Sequence, residues 1–384
     1  MCSSDLQKYW RYIESKAVAL ARQYGFGRID TPVFEDANLF VRSVGEGTDI
    51  VEKEMYTFED RGGDQVTLRP EGTAPVCRAY LEHGMHNLPQ PVRMYYFCPV
   101  FRYERPQAGR FREHHQFGVE VLGDADPSVD AEVIELAWRL MITLGLKNTS
   151  LLINSIGDTE CRPAYVSELK NYYRGHESKL CAECRQRLDR NPLRLLDCKV
   201  ETCRALGDEA PRSSDHLCQA CQDHWSSLRG YLDAVAIPYE IDHRLVRGLD
   251  YYRRTVFEIQ PVEGGAQSTI CGGGRYDGLI EGLGGRPTPG IGFATGMERL
   301  ALNLERGGVE VPNEPSPKYL VANVGDAARP AALELAARLR ANGVAATLTN
   351  GAPGPRGQPR QGNALGNPHT ANLPHAQAAQ GGVS

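Results

Sequence analysis

Two long stretches of strand-forming residues, Val92–Arg102 and His115–Leu122, flank a polar loop over Tyr103–Glu113 that is rich in arginine. Runs of this kind on either side of one polar segment predict a long antiparallel pair of strands. The remaining text fits around that pair. Residues 8–24 mix Tyr9, Trp10, Tyr12, Ile13, Val18, Leu20 and Ala21 with charges at helical spacing, an amphipathic helix that Gly25 ends. Arg28–Phe34 reads as a strand, with Pro32 suggesting an edge or an interface. Strands at 54–58 and 65–69 enclose the turn Asp60-Arg61-Gly62-Gly63, and a helix follows over Thr73–His83. Beyond the hairpin come a helix at 128–145, a strand at 150–155, and a helical, cysteine-bearing insertion over 159–232. Strands at 238–247 and 254–262 follow, and then Gly272–Gly274 precede Tyr276 and Asp277. A glycine-rich strand, Gly290–Thr295, runs into a helix near Gly296. The pattern is α+β: a mostly antiparallel sheet flanked by helices, not a doubly wound one.

This first domain is expected to span 7–311, with a boundary in Pro312–Pro317. Lys318–Val324, Arg329–Asn342 and Val344–Leu348 then read as strand, helix and strand, one βαβ unit of a parallel domain that stays incomplete over 318–350. From Gly351 the text has almost no large apolar residues, so 351–384 is expected to be disordered. Met1–Leu6 joins poorly to the helix after it and reads as translated adapter DNA; the tail reads as out of frame. Both ends are expected to be non-native.

Composition narrows the class only slightly. No apolar run approaches the roughly 20 residues of a membrane span, and no signal-peptide pattern opens the chain. The eleven cysteines are therefore expected in a reducing cytoplasm, free or metal-bound. A net charge of −5 does not announce a nucleic-acid partner, so any RNA contact must come from local basic clusters.

Two segments carry chemistry. Arg102, Glu104, Arg105, Arg110 and Arg112 crowd one loop, where guanidinium forks can grip phosphate and carboxylate. Gln116 and Glu120 follow at even spacing and share a face of the outgoing strand. In Gly290-Ile291-Gly292-Phe293-Ala294-Thr295-Gly296, bare backbone admits a close ligand, and Arg299 stands on the next helical turn, ready for a terminal phosphate. The plainer alternatives are a solvated turn and tight packing.

Taken together, the segments resemble motifs 2 and 3 of class II aminoacyl-tRNA synthetases, and Ile29-Asp30-Thr31-Pro32 resembles motif 1. Leu245–Tyr252 with Thr255–Glu258, Cys271–Leu279 and Thr67–Thr73 resemble the histidyl-tRNA synthetase family in particular. The resemblance covers about residues 8–348. It implies a class II catalytic domain, a partial anticodon-binding domain, and a homodimer paired through the motif 1 segment. It also implies a ligase that activates L-histidine with ATP and Mg²⁺ and charges tRNA(His). Arg102 would meet the α-phosphate and the amino-acid carboxylate, Arg299 the γ-phosphate, and Arg247 the α-phosphate from the other side. Glu104 and Arg110 would frame adenine and phosphates. Glu71, Thr73 and Gln116 would take the substrate ammonium. Glu120 and Tyr252 would match the two imidazole nitrogens, and Tyr251 and Tyr276 would wall the pocket. A regulatory, histidine-sensing paralogue of the family, a subunit of ATP phosphoribosyltransferase, is the alternative; the intact Arg247–Tyr252 stretch and the βαβ unit argue against it.

Cys181-x-x-Cys184 and Cys218-x-x-Cys221 bracket Cys198 and Cys203 in the insertion. Two such pairs form a zinc pattern, so one structural zinc on Cys181, Cys184, Cys218 and Cys221 stands beside free thiols as a reading. His114 and His115 are adjacent on a strand and point to opposite faces, which speaks against a shared metal.

Overall fold

The computed structural model describes residues 6–45, 48–104, 111–262, 269–312, 319–323, 326–348 and 369–373. Chain contacts divide it into two compact units, 1–311 and 312–384. The first unit opens with α1 (Gln7–Gln23), whose buried Tyr9, Ile13, Ala17, Leu20 and Ala21 lie on one face. Next come β1 (Gly27–Arg28), β2 (Phe34–Asp36), α2 (Ala37–Val44), β3 (Tyr56–Glu59), β4 (Gln65–Leu68) and α3 (Thr73–Glu82). The hairpin follows as β5 (Val92–Phe101) and β6 (Glu113–Leu122), then α4 (Pro127–Leu144) and β7 (Thr149–Ser155). The insertion holds α5 (Arg162–Gly175), α6 (Ala182–Arg190), α7 (Glu201–Asp208) and α8 (Gln219–Ala234). The unit closes with β8 (Glu240–Ile241), β9 (Arg253–Pro261), β10 (Cys271–Arg275), α9 (Leu279–Gly282), β11 (Gly290–Gly296) and α10 (Met297–Arg306).

Eight strands form the main sheet in the order β1-β5-β6-β11-β10-β9-β7-β8. Its inner pairs are antiparallel, and only the short edge strands β1 and β8 pair parallel. Alternation along β6 and β11 sends Phe117, Val119, Val121, Ile291 and Phe293 to one face, where they join a core with α1, α4, α8 and α10. The other face carries Gln116, Gly118, Glu120, Gly292 and Ala294 in register with one another and with β10. A separate three-stranded sheet, β2-β4-β3, stands beside α2.

Three sequence readings change. Arg28–Phe34 is not one strand: β1 stops at Arg28 and β2 starts at Phe34. The intervening Thr31 and Pro32 instead present their carbonyls to the buried Arg69 guanidinium, at 2.7 and 3.0 Å. The strand expected at 238–247 keeps only Glu240–Ile241, because a turn closed by Leu245 N–H on Asp242 carries 245–252 out of the sheet. The glycines 272–274, read as a lead-in, are themselves a central strand, β10. Propensity disfavours that placement, and packing decides it.

The second unit pairs β12 (Tyr319–Asn323) with β13 (Ala346–Leu348) in parallel, with α11 (Arg329–Ala341) between them in sequence. Its small core holds Val321, Ala332, Ala336 and Ala346. A third strand, β14 (His369–Leu373), pairs parallel to the other edge of β12, where the sequence reads as disordered. Composition cannot register this pairing, because an open strand edge recruits backbone rather than side chains. The rest of the tail reading, 351–368 and 374–384, and that for residues 1–5 lie outside the described residues. Among the described residues no helix is long and apolar enough to cross a membrane.

Under the helical face lies a buried charge cluster. Asp130 of α4 is fully buried, ion-paired with the equally buried Arg275 of β10, and accepts the Thr255 hydroxyl at 2.6 Å. Arg275 also reaches Asp277 at 2.9 Å and the Asp124 carbonyl at 3.1 Å, so its fork is spent on several acceptors. Asp130→Ala should therefore destabilise by about 3–5 kcal/mol, because it strands a buried guanidinium. Urea unfolding monitored by tryptophan fluorescence measures this, and a loss under about 1 kcal/mol would show the cluster to be solvated.

Candidate functional site

The cleft lies on the sheet face away from those helices. Its cavity volume is about 260 Å³, near the lower end of the range for small-molecule sites. Its floor is β6, β11 and β10. Its rim comes from the β4–α3 junction, the β5–β6 loop, the segment 245–252 and the start of α10.

Three arginines point into it from three different elements: Arg102 after β5, Arg247 on the 245–252 segment and Arg299 on the first turn of α10. Each is held by a backbone or carboxylate acceptor. Arg102 Nε donates to the Pro70 carbonyl at 2.8 Å, and Arg299 donates to the Thr269 carbonyl. Arg247 is ion-paired with Glu258, whose other oxygen accepts the Thr269 hydroxyl at 2.7 Å. Burial works against the Arg247 charge, but Glu258 and the neighbouring tyrosines outweigh it, so its pKa lies above the ordinary arginine value. The His114 imidazole also lines the cleft; burial, aided by Arg102, pushes it down to about 4, which keeps it neutral. His115 instead sits against Glu298 at 3.0 Å and the Trp10 ring at 4.9 Å.

Opposite the arginines stands a polar corner. Glu71 accepts the N–H groups of Thr73 and Ala74 at 2.6 and 2.8 Å, which caps α3 and fixes the carboxylate on the cleft wall. Burial raises its pKa against the pull of those N–H bonds and of Arg102. The Thr73 hydroxyl donates to Glu120 at 2.8 Å, and Tyr96 donates to the same oxygen at 3.1 Å. Tyr276 donates to the other. Burial pushes the Glu120 carboxyl up to about 8, against these hydroxyls and with the repulsion of Glu71. Tyr251 lies between Tyr252 and Tyr276, with ring centroids 4.7 and 5.7 Å away, forming an aromatic wall.

Of the residues expected at the site, Glu71, Thr73, Arg102, Glu104, Gln116, Arg247, Tyr251, Tyr252 and Arg299 line the cleft together. Glu120 and Tyr276 are 1% exposed each and stand behind the wall, hydrogen-bonded to each other. Arg110 lies outside the described residues. The glycine run has a different use from the one expected. A Cβ at Gly292 would fall on the Glu120 carboxylate, at Gly290 on the Tyr276 ring, and at Gly272 within 2.5 Å of Arg247 Nη1. The missing side chains make room for functional side chains rather than directly for a ligand. Sequence reasoning missed Tyr96, Glu258 as the partner of Arg247, and Thr269. None belongs to a spacing that marks chemistry, and only strand pairing brings them in.

The single cysteine site does not hold. Cys181 and Cys184 group with Cys198 and Cys203, whereas Cys218 and Cys221 group with Asp158 and Cys161. Spacing identified the two pairs but not their partners. Asp158-x-x-Cys161 repeats the same interval and was the available signal.

Residues 5–300 match the family model described as histidyl-tRNA synthetase. The chain is 58% identical over 375 residues to the protein of Dehalococcoides mccartyi strain 195 named histidine–tRNA ligase, covering 98% of this chain and 90% of that one. It is 54% identical over 337 residues to the protein of the same name from Desulforamulus reducens, covering 88% and 80%. Among solved structures, apo histidyl-tRNA synthetase of S. aureus superposes with a TM-score of 0.80 at 38% identity, covering 98% of this chain and 90% of that one.

Glu120 generates a pH prediction. Its carboxyl is raised from 4.5 to about 8, so between those values the folded protein holds a proton that the unfolded chain has released. The stability it contributes is complete below pH 4.5 and is lost as pH rises through about 8. Glu120→Gln cannot titrate, so wild type should lose roughly 2–5 kcal/mol relative to the variant across that window. Urea unfolding at several pH values reads this; parallel stability curves for the two proteins would refute the raised pKa.

Proposed function

The chain belongs to the histidyl-tRNA synthetase family, and from that premise we propose how its cleft joins histidine to ATP and passes the acyl group to the 3′ end of tRNA(His). The observation that carries the reading is the convergence of Arg102, Arg247 and Arg299 on one cleft opposite Glu71, Thr73 and Gln116. Activation brings two anions together: a carboxylate oxygen attacks the α-phosphorus, and the bond from that phosphorus to the bridging oxygen breaks to release pyrophosphate. Fixed cations hold such reactants in line and stabilise the charge that develops. Arg102 serves the α-phosphate and the histidine carboxylate, Arg247 the α-phosphate from the opposite wall, and Arg299 the γ-phosphate. Glu104, beside Arg102 on the cleft wall, suits the adenine, whose exocyclic amine can donate to its carboxylate. Glu104 and Glu298 on the cleft wall offer the hard oxygens that would hold a Mg²⁺ brought with the nucleotide, and that ion would add to phosphate neutralisation. In the second step the terminal hydroxyl of the tRNA attacks the acyl carbon and AMP leaves.

Selection of histidine follows from the polar corner. Glu71, Thr73 and Gln116 offer acceptor oxygens to the substrate ammonium. Glu120, at the back of the aromatic wall, is assigned to the imidazole N–H, and the Tyr252 hydroxyl to the bare nitrogen. A side chain unable to answer both leaves buried partners unmatched, which rejects it. The curated relatives reported above bear the ligase name, and nothing in the cleft favours the regulatory alternative. The ten described cysteines are free, which suits a cytoplasmic site of action.

Arg247→Ala should lower histidine-dependent pyrophosphate exchange by about 100-fold or more, since it removes a transition-state cation. Exchange within about tenfold of wild type would take Arg247 out of the mechanism.

We also read the working state as a homodimer. Phe34 and Phe58 stand exposed, at 56% and 43%, with rings 5.8 Å apart, beside the Thr31-Pro32 segment. Apolar rings of this size in one patch call for a partner surface, and isologous pairing is the commonest solution. Sedimentation at micromolar concentration should give the dimer mass, and Phe34→Asp should shift it toward monomer. A wild-type monomer would refute the reading.

A further inference from the structure

Outside the cleft, the insertion gathers most of the thiols of the chain into two compact clusters. In the first, the Sγ atoms of Cys181, Cys184, Cys198 and Cys203 all lie within 4.8 Å of one another. In the second, an Asp158 oxygen and the Sγ atoms of Cys161, Cys218 and Cys221 do the same. We propose that the insertion holds two separate structural zinc ions, one on four thiolates and one on Asp158 and three thiolates.

The spacing fits single ions. Four sulfurs at about 2.3 Å from a tetrahedral zinc are separated by about 3.8 Å. Cys181 and Cys198 are 3.9 Å apart, and Cys161 and Cys221 are 3.8 Å apart. A carboxylate oxygen on the same ion would sit slightly closer to the sulfurs: Asp158 Oδ1 is 3.6 Å from Cys161, while its 4.0 Å to Cys218 has to close by a few tenths of an ångström when the ion binds. None of the described thiols is joined in a disulfide.

The backbone around the clusters is also arranged for anionic ligands. Cys181 is the N-cap of α6 and Cys184 lies in its first turn; Cys218 and Cys221 take the same positions on α8, and Cys161 is the N-cap of α5. Helix N-termini favour thiolate charge. Backbone N–H groups face the sulfurs: Cys181 N reaches Cys203 at 3.2 Å, Cys184 N reaches Cys181 at 3.4 Å, and Asp158 N reaches Cys161 at 3.4 Å. Arg254 holds the outer oxygen of Asp158 at 3.1 Å, while Oδ1, which also accepts the N–H groups of Glu160 and Cys161 at 3.0 and 3.4 Å, faces the thiols. Such a support orients a ligating carboxylate.

The positions explain what the ions would do. α6 and α7 have 9 and 8 residues, too short to be stable on their own, and the first cluster ties them together. The second cluster joins the two ends of the insertion, since Asp158 and Cys161 stand just after β7 and Cys218 and Cys221 open the helix that returns to the core. One ion staples the module internally, and the other fastens it to the sheet.

Elemental analysis of the purified full-length chain should find about two zinc ions per chain, with Cys184→Ser and Cys221→Ser each losing about one and the double variant losing both. X-ray absorption of the wild-type protein gives an answer that does not depend on the folding of any variant. It should show zinc–sulfur distances near 2.3 Å and about seven sulfurs for each oxygen. A chain without zinc, or with iron in its place, overturns the proposal. So does a single zinc lost equally in both variants, or a shell dominated by nitrogen and oxygen. Zinc lost in Cys184→Ser but absent from the second cluster of the wild type would overturn the Asp158 site.

Discussion

The cleft depends on a patch of sheet that carries almost no side chains of its own. Gly118 of β6, Gly290 and Gly292 of β11, and Gly272 and Gly274 of β10 share the cleft-side face of three adjacent strands. Larger residues from neighbouring positions, Glu120 of β6 among them, lie across that bare backbone. The Tyr96 ring crosses Gly118 to reach Glu120, Tyr276 covers Gly290, the Glu120 carboxylate lies over Gly292, and Arg247 lies over Gly272. A Cβ at Gly118, Gly290, Gly292 or Gly272 would lift one of these side chains off the sheet, and one at Gly274 would strike the Thr255 carbonyl of β9. Glycine weakens a strand interior, so the face is stable only because its neighbours fill the space, and filling the space is what positions the site.

The same sheet handles charge differently on its two sides. Under the helices, Arg275 and Asp130 are fully buried and answered by Thr255, Asp277 and backbone carbonyls. That network is closed and structural. On the cleft side, Arg102, Arg247 and Arg299 are each fixed by an acceptor, yet all three remain on the wall of an open space. Holding guanidiniums in place before a ligand arrives removes reorganisation from the reaction, which is the main electrostatic advantage of a preformed site. Glu120 is held by hydroxyls and pressed by Glu71 rather than paired with one of these cations. Burial therefore sets its protonation.

The insertion answers a different problem. It leaves the sheet after β7 and returns through α8, whose Trp225, Leu228 and Leu232 belong to the main core. Between those points, short helices surround a modest apolar centre that includes Tyr165, Leu169, Leu195 and Leu206. The two zinc ions proposed for the thiol groups at the helix starts would compensate for the limited area that a module of this size can bury.

Periodicity and spacing were sufficient for the elements that obey local rules. The β5–β6 hairpin, α1, α3, α4 and the β11–α10 junction all stand close to where alternation, caps and glycine stops put them. Arg102 and Arg299 stood out as guanidiniums on a polar loop and at a helix start, whereas Arg247 was reached only through the family resemblance. The partners were not visible. Glu258 for Arg247, Tyr96 for Glu120, and Cys198 and Cys203 for Cys181 are set by strand register and helix docking, which carry no signature in the spacing of a single chain. The failed readings share that cause: β10 is a strand despite three glycines because its neighbours leave no other space, and β14 pairs because an open edge accepts it. The amino-acid sequence by itself determined which residues could do chemistry and the fold class that would carry them. Only the tertiary structure decided which of those residues face one another, because contacts between distant segments depend on register and packing that local sequence does not encode.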